Sequence, residues 1–205
     1  MKRAIPKAAV AFIGGSSTFA INFPEDLHLS GVTVLDRKTF STPFGDSPEM
    51  TLFEVDGEPA LTLKMHGWRP GVKRADASRQ IFWVFERAGV KSILVEGGVG
   101  AIKRDLRLRD FIIPDDYLDF SMRKDVHLSD SYLLVMRDPV CPDLMNLLAR
   151  SAARLFPERQ IANGVYAVTD GRHFESCAEV RMIEKLGGDV VGQSMCPEVY
   201  LAREI

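Results

Sequence analysis

The sequence lacks most of the features that advertise a function. Its three cysteines, Cys141, Cys177 and Cys196, are odd in number and none stands in a C-x-x-C pair. That argues against a disulfide framework or a zinc site, and for a reducing compartment. No apolar run approaches the roughly 18 residues a membrane span needs, so no membrane is expected. Formal net charge is only −2, which gives no reason to expect nucleic acid or an acidic membrane surface as partner. Neither glycine-rich loop fits G-x-G-x-x-G, and no G-K-[ST] follows, so dinucleotide and P-loop chemistry are unsupported. Repeats, low-complexity tracts and domain linkers are missing as well. The expectation is a cytoplasmic chain of one domain, residues 1–205.

What is present begins with an ambiguous start. "MKRAIPKAAVAFIGGSSTFA" has basic residues, an apolar run and small residues in the order of a secretory signal. Pro6 and Lys7 interrupt it, however, and the uninterrupted run at residues 8–13 has the length of a strand. Three apolar runs end in glycine and serine: "AAVAFIGGSST", "KSILVEGGVGAI" and "GGDVVGQSM". Each reads as a buried strand delivering its end into a small-residue loop. Helical patterns precede the second and third, at residues 74–89 with Gly89 as C-cap and at 177–188 with Gly187 and Gly188 as stop. Residues 31–67 differ. Their period-2 stretches and turn signals, including Asp56-Gly57, predict antiparallel hairpins. Residues 110–121 form another extended stretch, and 141–156 an amphipathic helix with proline at its start. The fold class is therefore α/β, with a mixed, partly parallel central sheet flanked by helices.

In open α/β sheets ligands sit beyond the C-terminal ends of the strands. Successive N–H groups in glycine- and serine-rich turns make concavities for anions, so a small free anion such as phosphate is the natural occupant here. One further stretch, "GRHFESCAEVRM" at 171–182, sets Phe174 and Glu175 just before a helix. Helix punctuation is one account: Ser176 and Glu179 form a capping box, and Glu175 favours the positive end of the dipole. A binding role is the other.

Read in order, "IGGSS", "TPFGDSP", "HG", "GVKSILVEGGVGAI", "DFIIPDDYLDFSMR" and "GVYAVTDGRHFESCAEVRMIEKLGGDVVGQSMCPEVYLAREI" resemble the purine nucleoside phosphorylase and methylthioadenosine phosphorylase family over almost the whole length. The resemblance implies a pentosyltransferase of purine salvage. Phosphate attacks C1′ of a purine nucleoside as the base leaves, giving free purine and ribose (or methylthioribose) 1-phosphate. Such chemistry needs an anion held below an oxocarbenium-like sugar, positioning, and stabilisation of negative charge on the leaving base. The family uses no metal or organic cofactor, only inorganic phosphate as co-substrate, and the resemblance supplies no general acid or base side chain. It also implies a homotrimer or hexamer.

Carried over by position, Ser16, His66, Gly98 and Ser194 match the family's phosphate contacts, Gly98 through its N–H. Gln193 takes the place of a ribose-contacting methionine, and Phe174 that of the aromatic against the base. Glu175 resembles the branch that prefers 6-oxopurines, because a carboxylate accepts the N1–H of hypoxanthine or guanine and adenine has none. The implied substrates are inosine, guanosine or methylthioinosine.

The chain also departs from the family. Met65 precedes His66 where the family often has arginine, a fork-shaped anion donor; Arg69, Lys73 and Arg74 are nearby stand-ins. Gly171-Arg172-His173-Phe174 replaces Gly-Pro-Arg-Phe. Beyond Ile205 the family continues with a strand and a loop bearing an Asn or Asp for purine N7. Two other readings stand beside the leading one: a catalytically degraded homologue that binds nucleobase or nucleoside, and a methylthioadenosine phosphorylase whose Glu175 faces elsewhere. The leading reading expects Ser16, Gly98 and Ser194 around one anion.

Overall fold

The first apolar run becomes the interior of a sheet. In the computed structural model, which describes residues 4–129 and 133–205, it forms β1 (Val10–Ile13). The basic start of the signal-like segment, residues 1–3, lies outside the described residues. By contacts the chain divides into two units. The first is drawn from residues up to 98 with 126–132 and 200–205, the second from 99–125 and 133–199.

In the first unit, β1 is followed by β2 (Val32–Lys38), the short pair β3 (Ser41–Thr42) and β4 (Gly45–Asp46), then β5 (Met50–Val55) and β6 (Glu58–Leu63). Helix α1 (Arg74–Ala88) and strand β7 (Ser92–Val95) complete it. The five-stranded sheet runs β2-β5-β6-β1-β7, with β1 parallel to both β6 and β7 and the rest antiparallel. The expected hairpin between β5 and β6 is there. Asp56 and Gly57 both have positive φ (51° and 85°), the requirement of a type I′ turn. Helix α1 ends at Gly89, left-handed at φ 83°, whose N–H donates to the Phe85 and Glu86 carbonyls. Its buried residues Ile81, Val84, Phe85 and Ala88 recur at helical spacing and cover Ala11, Ile13, Leu61 and Leu63 of the sheet. Full burial of Phe82 and Phe85 contributes roughly 1.5–3 kcal/mol each. Phe12, alternating with those core residues, points to the other face and packs on Phe23 and Phe53, with ring centroids 5.4 and 5.9 Å away. Val126 and Leu201 complete the main core.

The second unit holds β8 (Gly100–Ala101), β9 (Phe111–Asp119), α2 (Pro142–Leu155), β10 (Ile161–Val168), α3 (Cys177–Lys185) and β11 (Val190–Gly192). Helix α4 (Met195–Glu204) starts in it, and its residues from 200 onward are counted with the first unit. The sheet runs β8-β11-β10-β9, parallel except for β8. Pro114 has no N–H to give, so it suits the edge strand β9, and the register slips by one residue just past the Gly164–Pro114 pair. The Val165 N–H donates instead to the Asp189 carboxylate at 2.8 Å. A Cβ on Gly164 would stand 2.9 Å from that carboxylate, so the irregularity needs glycine. Ile102, Ala167, Ile183 and Val191 form the core here.

The mixed, partly parallel α/β organisation expected from sequence is thus present in both sheets. All three glycine-ended runs are strands, but β1 and β7 are neighbours in one sheet while β11 belongs to the other. Among the described residues no helix is long and apolar enough to cross a membrane, and no cluster of His, Cys, Asp and Glu could hold a metal. All three cysteines are free thiols, Cys196 buried.

Candidate functional site

In the first unit, β1 and β7 end side by side, and a side chain of one organises the loop of the other. Glu96, the residue after β7, accepts the Gly15 N–H at 2.8 Å, the Ser17 N–H at 3.2 Å and the Thr18 hydroxyl at 2.6 Å. Burial alone would raise its carboxyl group's pKa, but the bonds from Thr18, Ser17 and Gly15 outweigh burial and hold it below the ordinary carboxylate value. It is therefore an ionised anchor. Ser16 stays exposed at the loop's apex, and a Cβ on Gly98 would stand 2.7 Å from its Oγ, so Ser16 and the Gly98 backbone are close neighbours.

His66 is brought to the same loop by an unusual backbone. Met65, His66 and Gly67 all have positive φ, at 52°, 52° and 67°. For the two non-glycine residues such conformations cost on the order of 1 kcal/mol or more and persist where the surroundings impose them. Here the His66 N–H donates to the Gly14 carbonyl at 3.0 Å, and Gly67 is pressed against Ile81 and Pro48. The buried imidazole ends over Gly15, where a Cβ would meet His66 Nε2 at 2.8 Å and the Glu96 carbonyl at 2.5 Å. The ring packs on Trp68 with centroids 5.2 Å apart, and the Arg74 guanidinium lies 4.1 Å from the Trp68 ring centroid.

The stand-ins for the absent arginine have partners of their own. Arg69 donates to the Gly67 carbonyl at 2.9 Å, to Gln80 at 2.7 Å and to the Asp46 carbonyl. Burial pulls its pKa below the ordinary arginine value, with the Asp46 carboxylate opposing. Arg74 is stacked on Trp68, and Lys73 lines a surface hollow with Asp46, Asp76 and Gln80.

In the second unit the ends of β9, β10 and β11 are gathered by a buried cation. Arg123, its side chain 8% exposed, donates through Nη2 to the Gln193 carbonyl at 2.8 Å and more weakly to the Thr169 carbonyl at 3.4 Å. Its Nε lies 2.8 Å from Asp170 Oδ1, a close ion pair aligned poorly for a hydrogen bond, and Asp170 Oδ2 accepts the Met122 N–H at 2.7 Å. Gln193 donates its amide to the His173 carbonyl at 3.3 Å. Glu175 is half-buried and accepts the Thr169 hydroxyl, so its carboxylate turns in toward the end of β10. Phe174 turns outward and is 94% exposed. The cap predicted beside it forms separately: Ser176 N–H donates to Glu179 at 2.7 Å and Glu179 N–H to Ser176 Oγ at 3.3 Å. Those bonds hold the Glu179 carboxyl below its ordinary pKa. Ser194 is buried, its hydroxyl 3.3 Å from that of Tyr166. Burial pushes the Tyr166 hydroxyl above its usual pKa despite this partner, so it stays a neutral phenol.

Of the residues singled out from sequence, the structure brings Ser16, His66 and Gly98 together in the first unit. In the second, Gln193 donates to the carbonyl of His173, whose next two residues are Phe174 and Glu175, and Ser194 follows Gln193. Glu96, Thr18, Trp68, Arg123, Thr169 and Tyr166 were missed. A charged residue inside "VEGGVGAI" and an arginine inside "DFSMRKD" were the available signals.

Residues 10–205 match the phosphorylase superfamily. A protein of Moorella thermoacetica named "Probable 6-oxopurine nucleoside phosphorylase" is 33% identical over 96% of this chain and 74% of its own length. The Pyrococcus furiosus "6-oxopurine nucleoside phosphorylase" is 29% identical with the same coverage. A Methanothermobacter thermautotrophicus protein named "Probable S-methyl-5'-thioinosine phosphorylase" is 32% identical over 82% of this chain, and the match spans 59% of that relative. A methylthioadenosine phosphorylase from an antarctic soil metagenomic library superposes with a TM-score of 0.81 over 96% of this chain and 68% of its own. At 24% identity that likeness speaks to the fold.

Proposed function

Because the chain belongs to the phosphorylase superfamily, we propose that it cleaves 6-oxopurine nucleosides, such as inosine, guanosine or methylthioinosine, by phosphorolysis. The names of its relatives support that chemistry. The observation that carries the choice of base is the Glu175 carboxylate, turned in to the Thr169 hydroxyl rather than out to solvent.

In this reading phosphate is held by the Ser16 hydroxyl, the Gly98 N–H and His66, with no metal or organic cofactor. A phosphate oxygen bonds to C1′ as the C1′–N9 bond breaks. The bonding electrons leave with the purine, whose anion then takes a proton from solvent. Glu175 accepts the base's N1–H, Phe174 packs on the ring and Gln193 contacts the ribose. The family resemblance, not an observed interface, supports a homotrimer or hexamer, and it likewise supports a single phosphorylase-like domain acting in cytoplasmic purine salvage.

A second reading, a nucleobase- or nucleoside-binding homologue with little phosphorolysis, is favoured by Met65 and by the commitment of the first loop's donors to Glu96. Both readings share the base site. Calorimetric titration of hypoxanthine and adenine into the wild type and Glu175→Ala tests it. A charge-assisted hydrogen bond is worth roughly 1.5–3 kcal/mol, so hypoxanthine should bind the variant about tenfold to a hundredfold more weakly, with adenine little changed. A hypoxanthine preference that survives the substitution removes Glu175 from base recognition.

A further inference from the structure

We propose that Glu96 is a positioning residue that also sets the anion preference of the first loop: its carboxylate occupies the loop's own anion seat, so phosphate binds beside a fixed negative charge. The proposal rests on the phosphorolytic reading above.

Three donors make up this seat. Backbone N–H groups of a glycine-rich turn, pointing inward with a hydroxyl among them, are the usual means of holding a free anion. Here Gly15 N–H, Ser17 N–H and Thr18 Oγ1 are given to a single carboxylate from a residue about eighty positions away. That carboxylate gives the loop the shape an anion would impose, and does so before any ligand arrives. Ser16 Oγ and the Gly98 backbone, adjoining each other at the apex, remain the loop's groups for an incoming phosphate. Two positions separate Gly98 from Glu96.

The nearby cations have other partners. Arg69 is directed at two carbonyls and Gln80, Arg74 at the Trp68 ring, and position 65 is a methionine. Lys64 reaches the Phe19 carbonyl, at 3.5 Å. The buried imidazole of His66 lies against the same loop. Glu96 is a poor base, because both its oxygens already accept hydrogen bonds and those bonds hold its carboxyl below the ordinary pKa. Its effect is on affinity.

The test is calorimetric titration of inorganic phosphate into the full chain as wild type, Glu96→Gln and Glu96→Asp at low salt. A glutamine keeps an acceptor for the loop and removes the charge, so Glu96→Gln should bind phosphate about tenfold more tightly, the order expected for one partly solvated charge at close range. The aspartate keeps the charge and should not tighten binding. A Gln variant that binds phosphate no better than the wild type, or not at all, overturns the proposal, as does equal tightening by the aspartate. A salt series on the wild type reaches the same question without substitution. Raising ionic strength to about 0.15 M brings the screening length to roughly 8 Å and relieves the repulsion, so affinity should hold or rise. A steep fall with salt is the behaviour of a cationic seat and would sink the idea. The hypoxanthine and adenine titrations report separately on the functional reading, so the failure of one is not the failure of the other.

Discussion

The two units tie their strand ends together with opposite charges. In the first, Glu96 collects donors, two backbone N–H groups and a hydroxyl, from the loop after β1. In the second, Arg123 collects acceptors, the carbonyls of Thr169 and Gln193, and the Asp170 carboxylate. A carboxylate can serve only a turn whose N–H groups point inward. A guanidinium serves strands whose last carbonyls are left without a sheet partner, and its planar fork reaches several at once. The difference teaches where each unit is vulnerable. The acidic clamp is partly exposed and holds one loop; the basic clamp is buried and holds three strand ends.

The sharpest way to break the comparison is Arg123→Met. Removing one member of a buried pair leaves Asp170 and two carbonyls uncompensated, and the expected cost is about 3 kcal/mol or more, read as a lowered urea midpoint. A loss near zero would mean that Arg123 holds nothing together. Next in size is Gly15→Ala. The new methyl would meet the Glu96 carbonyl, a backbone atom that cannot swing away, at 2.5 Å, so we expect about 1–3 kcal/mol of destabilisation with phosphate binding lost. Intact phosphate binding in a stable alanine variant would separate His66 and Glu96 from the anion site. The smallest effect sharpens the contrast between anchor and decoration. Ser176→Ala removes only a helix cap, worth about 1 kcal/mol, and should leave the hypoxanthine preference unchanged. A shift in that preference would show that the cap and the base site are one device.

Local punctuation was legible in the sequence. The Gly89 stop, the Asp56-Gly57 hairpin, the Ser176–Glu179 capping box and the proline at the start of α2 all stand where residue chemistry put them. These features depend on neighbours within four positions. What could not be read depends on partners far along the chain. Glu96 meets Gly15 and Thr18 across 81 and 78 positions, and Arg123 meets Gln193 across 70. Nor does an apolar run carry the name of the sheet it joins: three similar strands were distinguishable only by their pairing, and β11 pairs with β10 and β8 rather than with β1 or β7. The left-handed run at Met65, His66 and Gly67 was hidden for another reason. Two of its three residues have no intrinsic preference for that conformation, which packing imposes. Phe174 was legible as a residue and not as an orientation, since nothing local says whether an aromatic before a helix faces in or out.

One feature of the division has a temporal meaning. The first unit draws its core from residues far apart in the sequence, with Leu201 fully buried beside Ala11 and Phe85, and the Glu204 carboxylate accepting the N–H groups of Leu128 and Ser129. A ribosome emitting this chain at roughly 5–20 residues per second would have released β1 to β7 and α1 long before the residues that seal them. During that interval the apolar places that Leu201 and Val126 later cover stand open, while the intervening 99–125 and 133–199 have every partner for their own sheet. The second unit is therefore able to complete its core first, although its residues are made later than most of the first.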